Sequence, residues 1–253
     1  MSLRGRNAVV TGSGRGIGRG IALALAGAGC NVAINYLRRR ADAEQTAADI
    51  TALGARAVVI KANMAHVDQA KRLVDQAVEQ LGGVDILVCN AASGVMKSIL
   101  DVGARDWDWT LDINARSALA AAQAAAPHMG RMGWGRIVTV TSIGSQRVFP
   151  AYGVVGVSKA ALEAVTRYLA VELAPSGIIA NCVSPGLVIT GALDHFPQRQ
   201  AMIDHAASHT PAGRLVTPED VGQVVAWLCS DQASMIVGQT LHVDGGYSLL
   251  MTG

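Results

Sequence analysis

Apolar and polar positions along this chain fall into blocks. Short apolar runs at 7–11, 31–36, 56–61, 84–89, 135–141, 178–183 and 239–243 are separated by stretches long enough for helices. Strand-like and helical segments in strict alternation predict parallel strands joined by right-handed crossovers. The expected fold class is therefore α/β, a doubly wound parallel sheet of seven strands with helices on both faces. No internal repeat, low-complexity tract or linker interrupts the pattern, so residues 1–253 are expected to form one domain. In such a sheet, ligands bind beyond the carboxyl ends of the strands.

Composition narrows the picture. The chain is 51% hydrophobic but only 4% aromatic, so its core must be built from Ala, Val, Leu and Ile. That suits buried parallel strands and close-packed helices. A formal net charge of +2 gives no electrostatic case for nucleic acid or an anionic membrane surface. Cys30, Cys89, Cys182 and Cys229 are scattered in apolar surroundings with no metal-ligand pairing, and are expected to be buried reduced thiols. The longest charge-free run, 173–193, contains Pro175, Gly177, Pro185, Gly186 and Gly191, so it cannot be a spanning helix. With no leader before the first strand, the expected location is the cytoplasm.

The first strand runs into Thr11-Gly12-Ser13-Gly14-Arg15-Gly16-Ile17-Gly18 and then an apolar helix. Glycines at a strand-to-helix turn let the backbone approach a phosphate, and the free amides at the helix start favour an anion. The pyrophosphate of a dinucleotide fits such a turn. The second strand ends at Tyr36 without the acidic residue that would bind a ribose diol; Arg38, Arg39 and Arg40 follow instead. Guanidinium groups bind phosphate bidentately, so with Arg15 they favour a ribose bearing a 2′-phosphate, and hence NADPH over NADH. Which of the three adjacent arginines is used stays open. The strand ends at Ala62-Asn63-Met64 and Asn90-Ala91-Ala92-Ser93 are small or amide-bearing, suited to an adenine or ribose.

Tyr152 and Lys159 stand seven apart, with Ser142 ten residues upstream. On a helix that spacing puts tyrosine and lysine on one face, roughly 10 Å apart along the axis. A lysine so placed can lower the phenol's pKa and ease proton release toward an oxygen gaining negative charge.

With these residues in view, the chain resembles the short-chain dehydrogenase/reductase family over essentially its whole length, which implies a Rossmann-type fold. The carrying motifs are Thr11-Gly12-x3-Gly16-x-Gly18, Asn90-Ala91-Ala92, Asn114, Ser142, Pro185-Gly186 with Thr190, and Val243-Asp244-Gly245-Gly246. One departure matters: the family's usual tyrosine, four residues before the lysine, is Val155 here. The Tyr-x6-Lys spacing is instead similar to the enoyl-acyl carrier protein reductase branch. Trp107-Asp108-Trp109-Thr110, His195-Phe196-Pro197 and Thr210-Pro211-Ala212-Gly213-Arg214 resemble its NADPH-dependent III type.

The resemblance implies catalytic roles for Tyr152, Lys159, Ser142 and Asn114. It also implies cofactor contacts from Gly12, Ser13, Arg15, Gly16, Ile17, Gly18, Tyr36, Arg38, Arg39, Asn63, Met64, Asn90, Ala91, Ala92, Lys159, Pro185, Gly186, Val188 and Thr190. Tyr152 would hydrogen-bond an enolate oxygen, and Lys159 would hold the nicotinamide ribose. Ser142 could donate to the substrate carbonyl or cap the strand end. Asn114 could act as a structural hydrogen-bonder supporting a water chain behind Lys159.

Residues 187–214 carry Phe196, Met202 and Ile203 after the nicotinamide-side loop and are expected to form a lid. His205 and His209 share a helix face there, with no carboxylate or thiolate to complete a metal site. The expected substrate is an α,β-unsaturated acyl thioester, on an acyl carrier protein or coenzyme A, as in fatty acid biosynthesis. The alternatives are a ketoreductase acting on a 3-oxoacyl thioester or another ketone, and a non-catalytic NADP-binding protein. A homotetramer is implied, or else a dimer, with Trp107 and Trp109 packed at a subunit contact.

Overall fold

The computed structural model describes residues 2–196 and 198–250; Pro197 and the side chain of His195, both in the expected lid, lie outside it. Seven strands form one parallel sheet: β1 (Asn7–Val10), β2 (Asn31–Tyr36), β3 (Ala57–Lys61), β4 (Ile86–Cys89), β5 (Gly135–Val140), β6 (Ile178–Pro185) and β7 (Thr240–Val243). Their spatial order is 3-2-1-4-5-6-7. All seven expected runs are strands, with ends displaced by up to two residues. The register is continuous across the sheet: Val9 lies beside Ala33 and Leu87, and Val138 beside Asn181. β1 and β4 are neighbours in space but far apart in sequence. Their carboxyl ends flank the switch point where ligand crevices open in doubly wound sheets.

The helices are α1 (Gly16–Gly27), α2 (Arg40–Ala52), α3 (Val67–Leu81), α4 (Ala104–Leu111), α5 (Ser117–Arg131), α6 (Gly153–Leu173), α7 (Arg199–His209) and α8 (Pro218–Leu228). On one face α1, α2 and α8 bury Ile21, Leu25, Ile50, Val221 and Val225 against Val10, Ile34 and Val183. On the other α3, α5 and α6 bury Leu73, Ala121, Ala125 and Leu162 against Val9, Leu87 and Ile137. Small side chains set the spacing. Gly20 of α1 and Gly222 of α8 approach so closely that a Cβ at Gly20 would meet the Pro218 carbonyl. A π-helical turn, Asp112–Arg116, joins α4 to α5 and carries Asn114 inward.

All four cysteines are free and buried, as expected from their apolar surroundings. No helix among the described residues is long and apolar enough to cross a membrane.

Candidate active site

The glycine turn after β1 is held from three sides. Thr11 Oγ1 accepts hydrogen bonds from the Asn90 and Ala91 amides at 2.9 Å each, and Asn90 Nδ2 donates to the Thr11 and Gly12 carbonyls at 2.9 and 3.2 Å. Asn35 of β2 accepts from the Gly12 amide at 3.0 Å and donates to the Ala62 carbonyl at 3.1 Å, tying three strand ends together. Ser13 Oγ donates to the Val10 carbonyl and accepts from the Asn35 amide. The Asn90 and Ser13 side chains thus brace the turn, so any contact they make to a cofactor comes from backbone. Nothing in the sequence motifs singles out Asn35; its signal is an amide inside an apolar strand.

Gly12 (φ 64°) and Gly16 (φ 55°) adopt left-handed backbone that glycine takes without strain. Gly18 admits no side chain, because a Cβ there would strike the Gly12 carbonyl and Asn90. The start of α1 has no capping side chain and no acidic residue in its first turn. These are the features a pyrophosphate requires. Across the crevice, Ser184 is buried with no partner for its hydroxyl, beside the Pro185-Gly186 turn. The residues present fit a dinucleotide.

The arginines after β2 separate by partner. Arg40 Nε donates to Glu44 at 2.7 Å, Arg39 lies 3.8 Å from Asp42, and Arg38 makes no ion pair among the described residues. The Arg15 guanidinium lies where a side chain on Gly191 would go, on the same side as the Asp194 carboxylate. Asn63 caps its own turn by accepting from the Ala65 amide, and Met64 beside it is buried.

Three consecutive residues at the end of β5 organise the start of α6. The Val140 carbonyl accepts from Lys159 Nζ at 2.8 Å, Thr141 Oγ1 donates to Glu163 at 2.9 Å, and Ser142 Oγ lies 3.3 Å from the Tyr152 hydroxyl. Ser142 therefore faces the tyrosine; its side chain caps nothing. Tyr152 sits immediately before the first helical turn. Ala151 before it has φ 63°, and its carbonyl accepts from the Lys97 amide, turning the chain sharply into the helix. The Tyr152 ring covers Gly144, where a Cβ would collide with it, and packs against Phe149 and Phe196 at centroid distances of 6.0 and 6.2 Å. Those are the only two phenylalanines in the chain.

The pKa logic differs from the expectation. Burial raises the Tyr152 phenol, the Ser142 hydrogen bond lowers it in part, and Lys159 is not among the groups acting on it. Burial pulls Lys159 itself down to about 8. Asn114 accepts from the Ser93 amide and donates to Ser158 Oγ at 2.8 Å, locking the residue next to Lys159. Val155 is buried against Gly94 and presents no hydroxyl.

On the lid, Phe196 and Arg15 make the contacts just described, and Val188 bridges to Val216. His205 and His209 stack with ring centroids 4.0 Å apart, and His205 Nδ1 lies 3.1 Å from the Tyr247 hydroxyl. Among the described residues no cluster of three metal-ligating side chains forms. Trp107 and Trp109 on α4 are half-exposed.

A doubly wound sheet with a glycine-rich phosphate turn at its switch point, and a Ser-Tyr-Lys group beside it, defines a nicotinamide-dependent oxidoreductase. The family model described as "Enoyl-(Acyl carrier protein) reductase" matches residues 12–248. A 1-cyclohexenylcarbonyl-CoA reductase of Streptomyces collinus is 36% identical, covering 96% of this chain and 87% of its own. A 3-oxoacyl-[acyl-carrier-protein] reductase of Staphylococcus epidermidis is 35% identical, covering 95% and 98%. A short-chain dehydrogenase from Burkholderia cenocepacia, solved in complex with NADP, superimposes with TM-score 0.89 at 38% identity over 98% of this chain and 99% of its own. The chain belongs to the short-chain dehydrogenase/reductase family.

Proposed function

We propose that this protein is an NADPH-dependent enoyl thioester reductase. One observation carries the proposal: the only hydroxyl-bearing aromatic at the start of α6 is Tyr152, placed ahead of the first turn, while the position four before Lys159 is a valine packed on Gly94. In ketone reduction hydride and proton go to adjacent atoms. In reduction of an α,β-unsaturated thioester the negative charge develops on an oxygen two bonds farther from the carbon that receives hydride, and a tyrosine displaced toward the helix start suits that reach.

NADPH, when bound, supplies the hydride. Gly12, Gly16, Ile17 and Gly18 would hold its pyrophosphate, Tyr36 and Arg38 its phosphorylated ribose, with Arg39 beside them, and Asn63, Met64, Asn90, Ala91 and Ala92 its adenosine side. Pro185, Gly186, Val188, Thr190 and Lys159 would hold the nicotinamide end. Tyr152 donates to the thioester oxygen and stabilises the enolate, Ser142 orients the phenol, and Asn114 fixes the segment carrying Lys159. Residues 187–214 close over the acyl chain, with Phe196 as their contact to Tyr152. The 36% identity to a 1-cyclohexenylcarbonyl-CoA reductase supports the enoyl assignment.

A second reading, a 3-oxoacyl thioester reductase, is favoured by the 3.3 Å approach of Ser142 to Tyr152, a pairing equally able to serve a ketone oxygen. The acyl group would ride on a carrier protein or coenzyme A, and the half-exposed Trp107 and Trp109 support a homotetramer, working in the cytoplasm.

The deciding experiment follows NADPH oxidation with crotonyl and acetoacetyl thioesters in parallel at matched concentrations. Turnover of the crotonyl thioester is expected, and turnover of the acetoacetyl thioester alone would overturn the assignment.

A further inference from the structure

Glu163 is a buried carboxylate that the proposed reaction does not use. It sits one helical turn beyond Lys159 on α6, and its Oε1 accepts from Thr141 Oγ1 at 2.9 Å. Burying a carboxylate is costly unless something nearby uses its charge. Lys159 carries the complementary charge: its side chain is buried, and its Nζ donates to the Val140 carbonyl at 2.8 Å instead of pairing directly with the acid. Residues 140 and 141 thus hold lysine and glutamate side by side without a direct ion pair. Ammonium protons remain available for a ligand, and the carboxylate acts on the lysine through its field, opposing the effect of burial.

We propose that Glu163 is a positioning residue for the reaction, keeping Lys159 cationic at neutral pH through its buried charge, with Thr141 as its anchor. The inference rests on Lys159 serving the site, and it holds whether the substrate is an enoyl or a keto thioester.

Two titratable groups oppose the effect of burial on Lys159. Burial pulls it down to about 8; Cys182 of β6 and Glu163 of its own helix oppose that fall. The Cys182 thiol is pushed up to about 11, chiefly by burial, so it is protonated wherever Lys159 titrates. Glu163 is then the group whose removal tests the effect. Removing its charge lowers the folded pKa of Lys159 further, toward neutrality. A neutral amine would be a weaker donor to a ribose.

The test is Glu163→Gln, which preserves shape and can still accept from Thr141, with Glu163→Asp as the charge-keeping control. Steady-state kcat and KM are measured from about pH 6 to 9 with whichever thioester the wild-type protein turns over, and NADPH affinity is followed over the same range by fluorescence. The alkaline limbs of kcat and of NADPH affinity should both move to lower pH by on the order of one unit in the Gln variant. Its loss should then be about fivefold near pH 8, approach about tenfold toward pH 9 and be small near pH 6, and the Asp variant should keep the wild-type limb. An unmoved limb, or a loss equal at every pH, would reduce Glu163 to a packing role. Should the Gln variant fail to fold, Glu163→Met removes the charge in a form an apolar interior accepts, and the same limb decides. Wild-type protein inactive on both thioesters would fail the assignment above, while the NADPH titration would still test Glu163.

Discussion

Tyr152 is held by four residues, three from the segment between β5 and α6 and one from the lid: Ser142 at its hydroxyl, Gly144 beneath its ring, Phe149 at its edge and Phe196 from the lid. Ala151 contributes a left-handed backbone that costs about 1 kcal/mol or more in a residue with a Cβ. Such strain persists when its surroundings over-determine it, as the Lys97 hydrogen bond and the aromatic contacts do here. Tyr152→Phe keeps every ring contact and deletes only the hydroxyl. Turnover should fall by about two orders of magnitude or more, with NADPH affinity nearly unchanged, as read by steady-state kinetics and a fluorescence titration. Retained turnover would remove Tyr152 from the chemistry. At this scale the sequence disclosed the groups whose spacing is short: Tyr152 and Lys159, and the glycines of one turn. It could not disclose Asn35 or Glu163. Their roles depend on partners 23 and 22 residues away, Gly12 and Thr141, whose proximity only the folded sheet creates.

The turn from β2 into α2 shows how an element sorts identical side chains. Of three consecutive arginines, Arg40 pairs with Glu44, Arg39 lies near Asp42, and Arg38 has no acidic partner among the described residues. Arg38→Ala should therefore weaken NADPH binding by about tenfold or more while leaving NADH binding near its starting value, since a charge-assisted hydrogen bond contributes about 1.5–3 kcal/mol. Arg40→Ala should alter the ratio little. Parallel titrations with both cofactors check this, and an equal loss for both in Arg38→Ala would exclude a 2′-phosphate contact. Strand positions were legible because β-branched apolar runs in a parallel sheet are buried on both faces. Helix α7 was less so; its sequence has no apolar stripe, and Ala206 is its one buried residue.

For the molecule as a whole, the buried lysine makes stability depend on pH. The folded pKa of Lys159, about 8, lies below its ordinary value of 10.5. Between those values the unfolded chain binds more protons than the folded one, so this contribution to stability increases as pH rises. Below about pH 8 the folded state carries the full penalty of the buried ammonium, on the order of 3 kcal/mol at 1.36 kcal/mol per unit. Comparing melting temperatures of the cofactor-free protein and Lys159→Met isolates this group. The variant's advantage should be largest below pH 8 and should shrink toward pH 10.5; a pH-independent difference would contradict the burial argument.

Val140, Thr141 and Ser142 each hold a different group of α6, and the first of them is aligned with Val183 in the neighbouring strand. Side chains alternate faces along a strand, so sliding β5 by one residue would release Lys159, Glu163 and Tyr152 together. Turnover is then a reporter of strand registry. Along a denaturant titration its loss should coincide with breakage of the β5–β6 pairing, making activity a local gauge of sheet integrity that needs no attached label.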